Sequence, residues 1–437
     1  MLRSRNGWQL LIAPLLVLAC NGTRTGNPAE PGELIKSTLA RDESPMIGED
    51  QRLALQSDNQ AFAFELYRTL ATQNGANLFL SPHSISLALA MTYAGASGET
   101  KAAMADALHF SLPDEALHPA LNAVELALQG RADEAIGANE GNAGKGLRLS
   151  ITNGLFVKRE LRPLEPFLDT LAVNYDTGVH ALDFENDPEG ARGEINDWVD
   201  DRTEGRISEL LAKGAINPFT SLALVNAIYF KATWLREFDK TQTRREAFHA
   251  PRGEVTTAMM HGSFQRQYAE GSGFAIAELP YLSPNVRMLI VLPDEGSFAT
   301  IEAGLDADWL REARQSLSPH MVELTMPQFQ FASQFELKDA LTTLGMGIAF
   351  SDRADFSRML AAPAQIGAVT HEAFVQVDEE GTEAAAATAV VVMTPVSAPA
   401  VPPPAELVLD RPFIFAIYDE PTGQILFLGR VMDPTAG

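Results

Sequence analysis

Residues 379–392 read Glu-Glu-Gly-Thr-Glu-Ala-Ala-Ala-Ala-Thr-Ala-Val-Val-Val. An acidic start with glycine passes into a run of minimal side chains and then into β-branched residues that favour strands. A proline-dense stretch, Pro395 to Pro404, follows and cannot lie in the middle of a sheet. The segment is expected to be exposed and mobile as a loop, yet chemically fit to become a central strand. In a strand, Thr382, Ala384, Ala386, Thr388, Val390 and Val392 share one face, small first and larger later. A loop of this kind stores a conformational change. Taken alone, the same residues also describe an alanine-rich low-complexity linker.

The residues that follow decide between the two. Arg411–Asp419, then Glu420-Pro-Thr-Gly423, then Gln424–Val431 read as two apolar strands around a Pro/Gly turn, a hairpin. Together the segment and the hairpin resemble the reactive-loop hinge and carboxyl-terminal signature of the serpin family. Other stretches resemble the family in the same order. Asn77-Leu-Phe-Leu-Ser-Pro-His-Ser-Ile85 resembles its helix-B entrance, and Leu224-Val-Asn-Ala-Ile-Tyr-Phe-Lys-Ala-Thr-Trp234 the third strand of its large sheet. Pro327-Gln-Phe-Gln-Phe331, Gly345-Met346 and Asp355-Phe-Ser357 resemble further landmarks, so the likeness spans roughly residues 52–434. It implies an α+β serpin fold with three β-sheets, about nine helices and an exposed reactive-centre loop.

Composition sets the chemical context. The chain of 437 residues is long enough for a large core, and 33 basic against 57 acidic residues give a net charge of −24. That balance disfavours nucleic acid, heparin-like polyanions and anionic membrane surfaces as partners of the folded body. Arg3 and Arg5, an apolar run from Trp8 to Ala19, and Val17-Leu-Ala-Cys20 fit a secretion signal over 1–19 that is too short for a membrane span. Cys20, the only cysteine, sits where a bacterial lipobox would place its lipid-bearing thiol, although Leu18 is bulky for that pattern; an ordinary signal peptide is the alternative. The expectation is an exported protein, lipid-anchored in a bacterial envelope or cell surface through Cys20, or otherwise secreted. An internal disulfide is impossible. Residues 20–50 lack periodicity and read as a flexible tether ahead of a single domain over 51–437.

Within the body, Asn59–Leu70 has helical apolar spacing, Asn77–Leu80 reads as a strand, and Ser81-Pro82 caps a helix apolar nearly all round to Tyr93. Arg131–Gly146 reads as a surface loop, Leu149–Val157 as a strand, and Leu161–Tyr175 and Arg192–Leu211 as helices. Ser221–Trp234 is a long apolar strand suited to a sheet centre, Met288–Pro293 and Val322–Phe331 are further strands, and Leu337–Leu344 is a helix closed by Gly345.

Four polar residues on apolar elements, Ser81, Ser84, Asn226 and His371, need partners, because a buried polar group without one costs about 1–3 kcal/mol. The resemblance places all four in the shutter beneath the sheet centre, and Trp234 in the breach where the loop begins to insert. Without it, Ser81 is equally a helix cap, His371 a satisfied core histidine and Trp234 a core aromatic. The resemblance also makes Glu379, Glu380, Gly381, Thr382, Glu383, Ala384, Ala385, Ala386, Ala387 and Thr388 the hinge. No proline occurs there before Pro395, and Glu383 has the parity to face solvent after insertion.

Counting by the commonest family spacing from Glu379 reaches Pro395, a poor residue before a cut, in a loop longer than usual. Val396–Ser397, after Thr394-Pro395, resembles elastase-type bait and is the first choice for the scissile bond; Met393–Thr394 is the second. No lysine or arginine occurs between Gly381 and Asp410, so a trypsin-like pocket has nothing to hold. The implied partner is an elastase-, chymotrypsin- or subtilisin-like protease, and the implied activity is suicide-substrate inhibition of serine endopeptidases, with cysteine endopeptidases as a further class. A serpin-fold chaperone or binding protein is the alternative. The sequence lacks Gly-x-Ser-x-Gly, His-Glu-x-x-His and phosphate-cradling glycine motifs, and its eight histidines are scattered. No enzyme activity, metal or cofactor is therefore expected. Residues 117–146 carry no basic cluster, so no heparin-type cofactor is expected either, and a monomer is.

Overall fold

A computed structural model describes residues 30–131, 146–382 and 404–436. The presumed signal, Cys20, most of the loop after Arg131 and the bait lie outside them. From the amino end run β1 (Glu33–Ile35), α1 (Glu49–Gln73), β2 (Leu78–Leu80), α2 (Pro82–Tyr93), α3 (Gly98–Ala107) and α4 (Asp114–Gly130). Then come β3 (Leu147–Lys158), α5 (Glu165–Tyr175), β4 (Val179–Leu182), α6 (Pro188–Arg202) and β5 (Leu222–Thr233). Four strands follow, β6 (Arg244–Ala250), β7 (Gly253–Gly271), β8 (Phe274–Pro280) and β9 (Val286–Pro293), and two helices, α7 (Phe298–Gly304) and α8 (Ala307–Gln315). The remainder is β10 (Ser318–Pro327), β11 (Phe329–Glu336), α9 (Lys338–Thr343), β12 (Ile366–Val377), β13 (Gly381–Thr382), β14 (Ala405–Val408), β15 (Phe413–Asp419) and β16 (Ile425–Val431).

The α+β architecture is as expected. One sheet has the order β1-β4-β3-β5-β13-β12-β11. The two other expected sheets share one hydrogen-bonded network, β14-β10-β7-β8-β9-β15-β16-β2, with β6 on β7. They are continuous because β7, 19 residues long, pairs with β6 near its start and with β8 near its end. The strand expected over Val322–Phe331 is divided at Pro327, which has no N–H to carry a ladder onward. Its first half, β10, stays with β7, and its second, β11, joins β12 in the other sheet.

Aromatic rings weld the layers. Phe79 stacks on Phe427 at 4.9 Å, and Phe230 of β5 meets the same ring at 5.2 Å. The carboxyl-terminal hairpin is therefore an internal element. Its turn is tied by Asp419, whose carboxylate accepts from Thr422 N–H at 3.1 Å and pairs with the Arg131 guanidinium at 2.6 Å, both groups buried. All 12 residues of α2 are buried, as its all-round apolar character requires.

Two helices end earlier or begin later than their periodicity suggests. α6 stops at Arg202 because Glu204 and Gly205 take positive φ of 56° and 76°. α5 starts only at Glu165, since Pro163 forms an isolated β-bridge with Leu360.

The tether reading needs correction from Glu30 onward. Residues Glu33–Ile35 pair antiparallel with β4, Leu34 opposite His180, and extend the first sheet by one edge strand. Gly32 allows the close approach, since a Cβ there would lie 2.4 Å from Ala181 O. Beyond it, Lys36 Nζ pairs with Asp176 at 2.6 Å, Asp42 N–H donates to Val173 O at 2.9 Å, and Asn122 Nδ2 donates to Asp42 O at 2.7 Å. A strand of three residues without alternation in its flanks has no readable signal, and its partners are distant in sequence. Loss of these contacts is expected to give a chain starting at Ile47 an apparent Tm lower than one starting at Glu30 by about 3–8 °C. Equal melting in differential scanning calorimetry means that the strap adds nothing to stability.

Candidate functional site

The first sheet is forked. From Ile366 to Phe374, β12 runs parallel to β5 and pairs with it directly, Ile366 opposite Leu222 and Phe374 opposite Tyr229. Above that level the two strands part, and β13 lies between them. Gly381 pairs with Thr233, Thr382 with Ala232 on one side and with Val377 on the other. Gly381 is required there, because a Cβ would stand 2.1 Å from Ala232 O.

A tight turn feeds this wedge. Asp378 Oδ1 accepts from Glu380 N–H at 2.9 Å and Gly381 N–H at 3.2 Å, and Asp378 N–H donates to Gly381 O at 2.9 Å. Burial, followed by the neighbouring Glu380 and Glu379, raises the pKa of Asp378, with the two N–H bonds opposing. Glu379 accepts from Thr243 Oγ1 at 2.5 Å and Gln328 Nε2 at 2.7 Å, and Glu380 forms an ion pair with Lys240. Trp234 N–H donates to Glu380 O at 2.9 Å, Phe238 N–H to Glu379 O at 2.8 Å, and Trp234 Nε1 to Asp378 O at 3.1 Å. Trp234 stacks on Tyr281 at 4.5 Å, and the Tyr281 hydroxyl meets Thr382 Oγ1 at 2.9 Å.

Trp234 thus stands with Glu379, Glu380, Gly381 and Thr382. The expectation that this end of the segment is exposed is corrected: Glu379 is 5% exposed, Glu380 3% and Thr382 0%. Thr382 faces inward, as its parity requires. Glu383, Ala384–Ala387, Thr388, Met393, Thr394, Val396 and Ser397 lie outside the described residues. Sequence reasoning missed Tyr281, Lys240, Thr243 and Gln328. Nothing in the local sequence marks Tyr281, Lys240 or Thr243, and Gln328 stood out only as part of the Pro327–Phe331 landmark; they reach Glu379–Thr382 from strands and turns far away in the chain.

Below the fork a polar row crosses three strands. Asn153 of β3 is opposite Asn226 of β5, which is opposite His371 of β12. Asn226 Nδ2 donates to Asn153 Oδ1 and to Ser84 Oγ, while its Oδ1 receives His371 Nδ1–H. His371 Nε2 accepts Ser81 N–H at 3.1 Å, which fixes the tautomer. Ser81 Oγ accepts Ser84 N–H at 3.2 Å, so it is both helix cap and neighbour of the row. The structure brings Ser81, Ser84, Asn226 and His371 together and adds Asn153. The only sequence cue for Asn153 is an asparagine inside an otherwise strand-forming run.

A family profile described as serpin (serine protease inhibitor) matches residues 57–434. The chain is a serpin. An uncharacterized serpin-like protein of Thermococcus kodakarensis is 36% identical over 439 residues, covering 98% of this chain and 99% of its own length. The leukocyte elastase inhibitor of Bos taurus is 36% identical over 392 residues, covering 87% and 99%. Among solved structures, human thyroxine-binding globulin superposes with a TM-score of 0.78 at 30% identity, covering 88% of this chain and 100% of that one. The family thus holds both inhibitors and binding proteins, and catalysis is not its general property.

Burial pushes His371 down to about 3 and His118 down to about 4. Between pH 6.5 and those values the unfolded chain takes up protons that this serpin's folded state refuses. Stability therefore falls as pH drops through that window, by up to about 1.4 kcal/mol per pH unit for each group, and is level above it. His371→Gln is expected to flatten the fall in apparent Tm between pH 6.5 and 4.5 while lowering Tm at pH 7.5. An unchanged slope in fluorescence melts removes His371 from the account.

Proposed function

We propose that this serpin is a suicide-substrate inhibitor of serine, and of some cysteine, endopeptidases with small or apolar specificity pockets. The observation that carries this reading is β13: the loop's first strand residues are already seated between β5 and β12. The residues that follow, Glu383 and Ala384–Ala387, contain no bulky apolar side chain and no proline to block extension of that strand.

In the proposed reaction, the protease serine oxygen attacks the carbonyl carbon of Val396, expels the amine of Ser397 and leaves an acyl bond. Met393–Thr394 is the second choice of bond. Release of the bait lets β13 lengthen downward, replacing the direct β5–β12 pairing. The row from Asn153 through Asn226 to His371 is the gate, since the Asn226–His371 bond must part before a strand passes. Stored strain released by such loop insertion is a known class of switch. The barrier, rather than equilibrium stability, then sets the lifetime of the intact state.

Export through residues 1–19 and lipid attachment at Cys20 complete the proposal and would place the inhibitor in a bacterial envelope, with a monomer as the acting form. The relation to the bovine leukocyte elastase inhibitor supports an elastase-like target, with chymotrypsin- and subtilisin-like enzymes sharing the required apolar pocket. The non-inhibitory alternative has support in the likeness to thyroxine-binding globulin.

Incubation with an elastase-like and a subtilisin-like protease separates the two. A denaturant-resistant adduct in electrophoresis, with a released peptide whose mass begins at Ser397, is the expected result; cleavage without adduct favours the alternative. Thr382→Arg forces a guanidinium into a site with no solvent, against Tyr281, and is expected to cut adduct yield at least tenfold while cleavage continues. Unchanged trapping by that variant overturns the assignment of Thr382 to the hinge.

A further inference from the structure

One edge of β3 and the amino-terminal strap bound a cavity of about 280 Å³, well above the roughly 150 Å³ that suffices for benzene. The cavity exists because β3 pairs with β5 over 147–157 but with β4 only over 156–158. The other edge of residues 147–155 therefore has no strand beside it among the described residues. Leu87 and Met91, one turn apart on the buried α2, and Ile151 give the cavity an apolar wall. Two of its cations are already answered, Lys36 by Asp176 and Arg202 by Glu30, each at 2.6 Å. Arg41, supplied by the strap, has no carboxylate partner among the described residues. Its Nε donates to Asn122 Oδ1 at 2.8 Å and its Nη1 to Gln129 Oε1 at 3.4 Å, while Nη2 has no acceptor. Glu125 Oε1 accepts from His83 Nε2 at 2.8 Å, and Oε2 has no donor. Asn153 engages Asn226 through Oδ1 and leaves Nδ2 free; the hydroxyl of Thr152, a residue only 4% exposed, has no partner. None of these four free atoms is sealed in protein, and all four residues line the cavity.

Helix α4 brings Arg41 and Glu125 together. Asn122, Glu125 and Gln129 stand at i, i+3 and i+7 on one helix face, and Arg41 bonds to the first and the last. Its guanidinium thus crosses the face from which Glu125 projects. The two charges nevertheless form no ion pair, because His83 holds the carboxylate. A cation and an anion on one wall, each with a free edge, fit a ligand that carries both charges.

We propose that this cavity binds a free α-amino acid with an apolar side chain. The ligand carboxylate takes the free Nη2 edge of Arg41, and its ammonium the free Oε2 of Glu125. Its side chain lies against Leu87, Met91 and Ile151, with Asn153 and Thr152 as further donors at the β3 edge. An acid or an amine of the same shape leaves one of the two protein charges unanswered, which makes the site selective for the zwitterion. Binding does not depend on the inhibitory reading.

The probe is L-leucine, titrated into the intact chain to about 10 mM by isothermal calorimetry. Beside it run 4-methylpentanoate, which lacks the ammonium, and 3-methylbutylamine, which lacks the carboxylate. Leucine is expected to saturate one site and raise apparent Tm by about 2–5 °C, with each analogue about tenfold weaker or more. Glu125→Gln keeps an oxygen for His83 and is expected to weaken leucine about tenfold while leaving 4-methylpentanoate unchanged or tighter. Arg41→Met is expected to weaken leucine and 4-methylpentanoate alike and to spare the amine. A merely structural role for either residue gives equal losses for all three compounds. The absence of saturable binding by leucine, equal binding of the three compounds to the wild type, or a wild-type order of preference in both variants overturns the site. Adduct formation with protease is a separate measurement, so failure here leaves the inhibitory reading untouched.

Discussion

Two strands that pair below and part above dominate this molecule. β5 and β12 share a parallel ladder as far as Tyr229 and Phe374, and two residues of β13 hold them apart beyond it. A parallel pair buried on both faces is ordinarily a closed structure, with every backbone donor and acceptor engaged. Here the ladder already contains the geometry of its own opening. Above the branch, Gly381 and Thr382 pair with Thr233 and Ala232 of β5, and Thr382 with Val377 of β12, so backbone groups that the parting strands would otherwise leave open at that level find partners.

The chemistry on either side of the branch is arranged to hold that state. Above it, carboxylates of Glu379 and Glu380 are buried but engaged by Thr243, Gln328 and Lys240, while Trp234 and Tyr281 form a flat wall against which Thr382 rests. Below it, the interstrand contacts at one level are side-chain hydrogen bonds running from Asn153 to His371. Burial keeps the imidazole neutral, and neutrality is what lets one ring nitrogen accept Ser81 N–H while the other donates to Asn226. Such a row is specific because each of its bonds requires a donor and an acceptor at a fixed level of neighbouring strands.

Legibility in the sequence followed the range of the interactions. The buried α2, the central β5 and the closing hairpin were readable because periodicity, apolar runs and turn residues are local signals. Ser81, Ser84, Asn226 and His371 stood out as polar residues where apolar ones were expected. Asn153, Tyr281 and Gln328 did not, since a strand asparagine, a tyrosine beside proline and a glutamine after proline each have commonplace explanations. The edge strand β1 escaped for the opposite reason: it has almost no signal of its own and exists because β4 offers an unpaired edge.

By itself the sequence determined the family, the small and then β-branched side chains of residues 382–392, and the lack of lysine and arginine between Gly381 and Asp410. These depend on residue size, branching and charge, which the chain carries wherever it is placed. Only the tertiary structure decided that Gly381 and Thr382 are already inside the sheet and that the amino-terminal strap belongs to it. Each of those facts is a matter of which distant surfaces meet, and the free energy of such meetings is not written in any one segment.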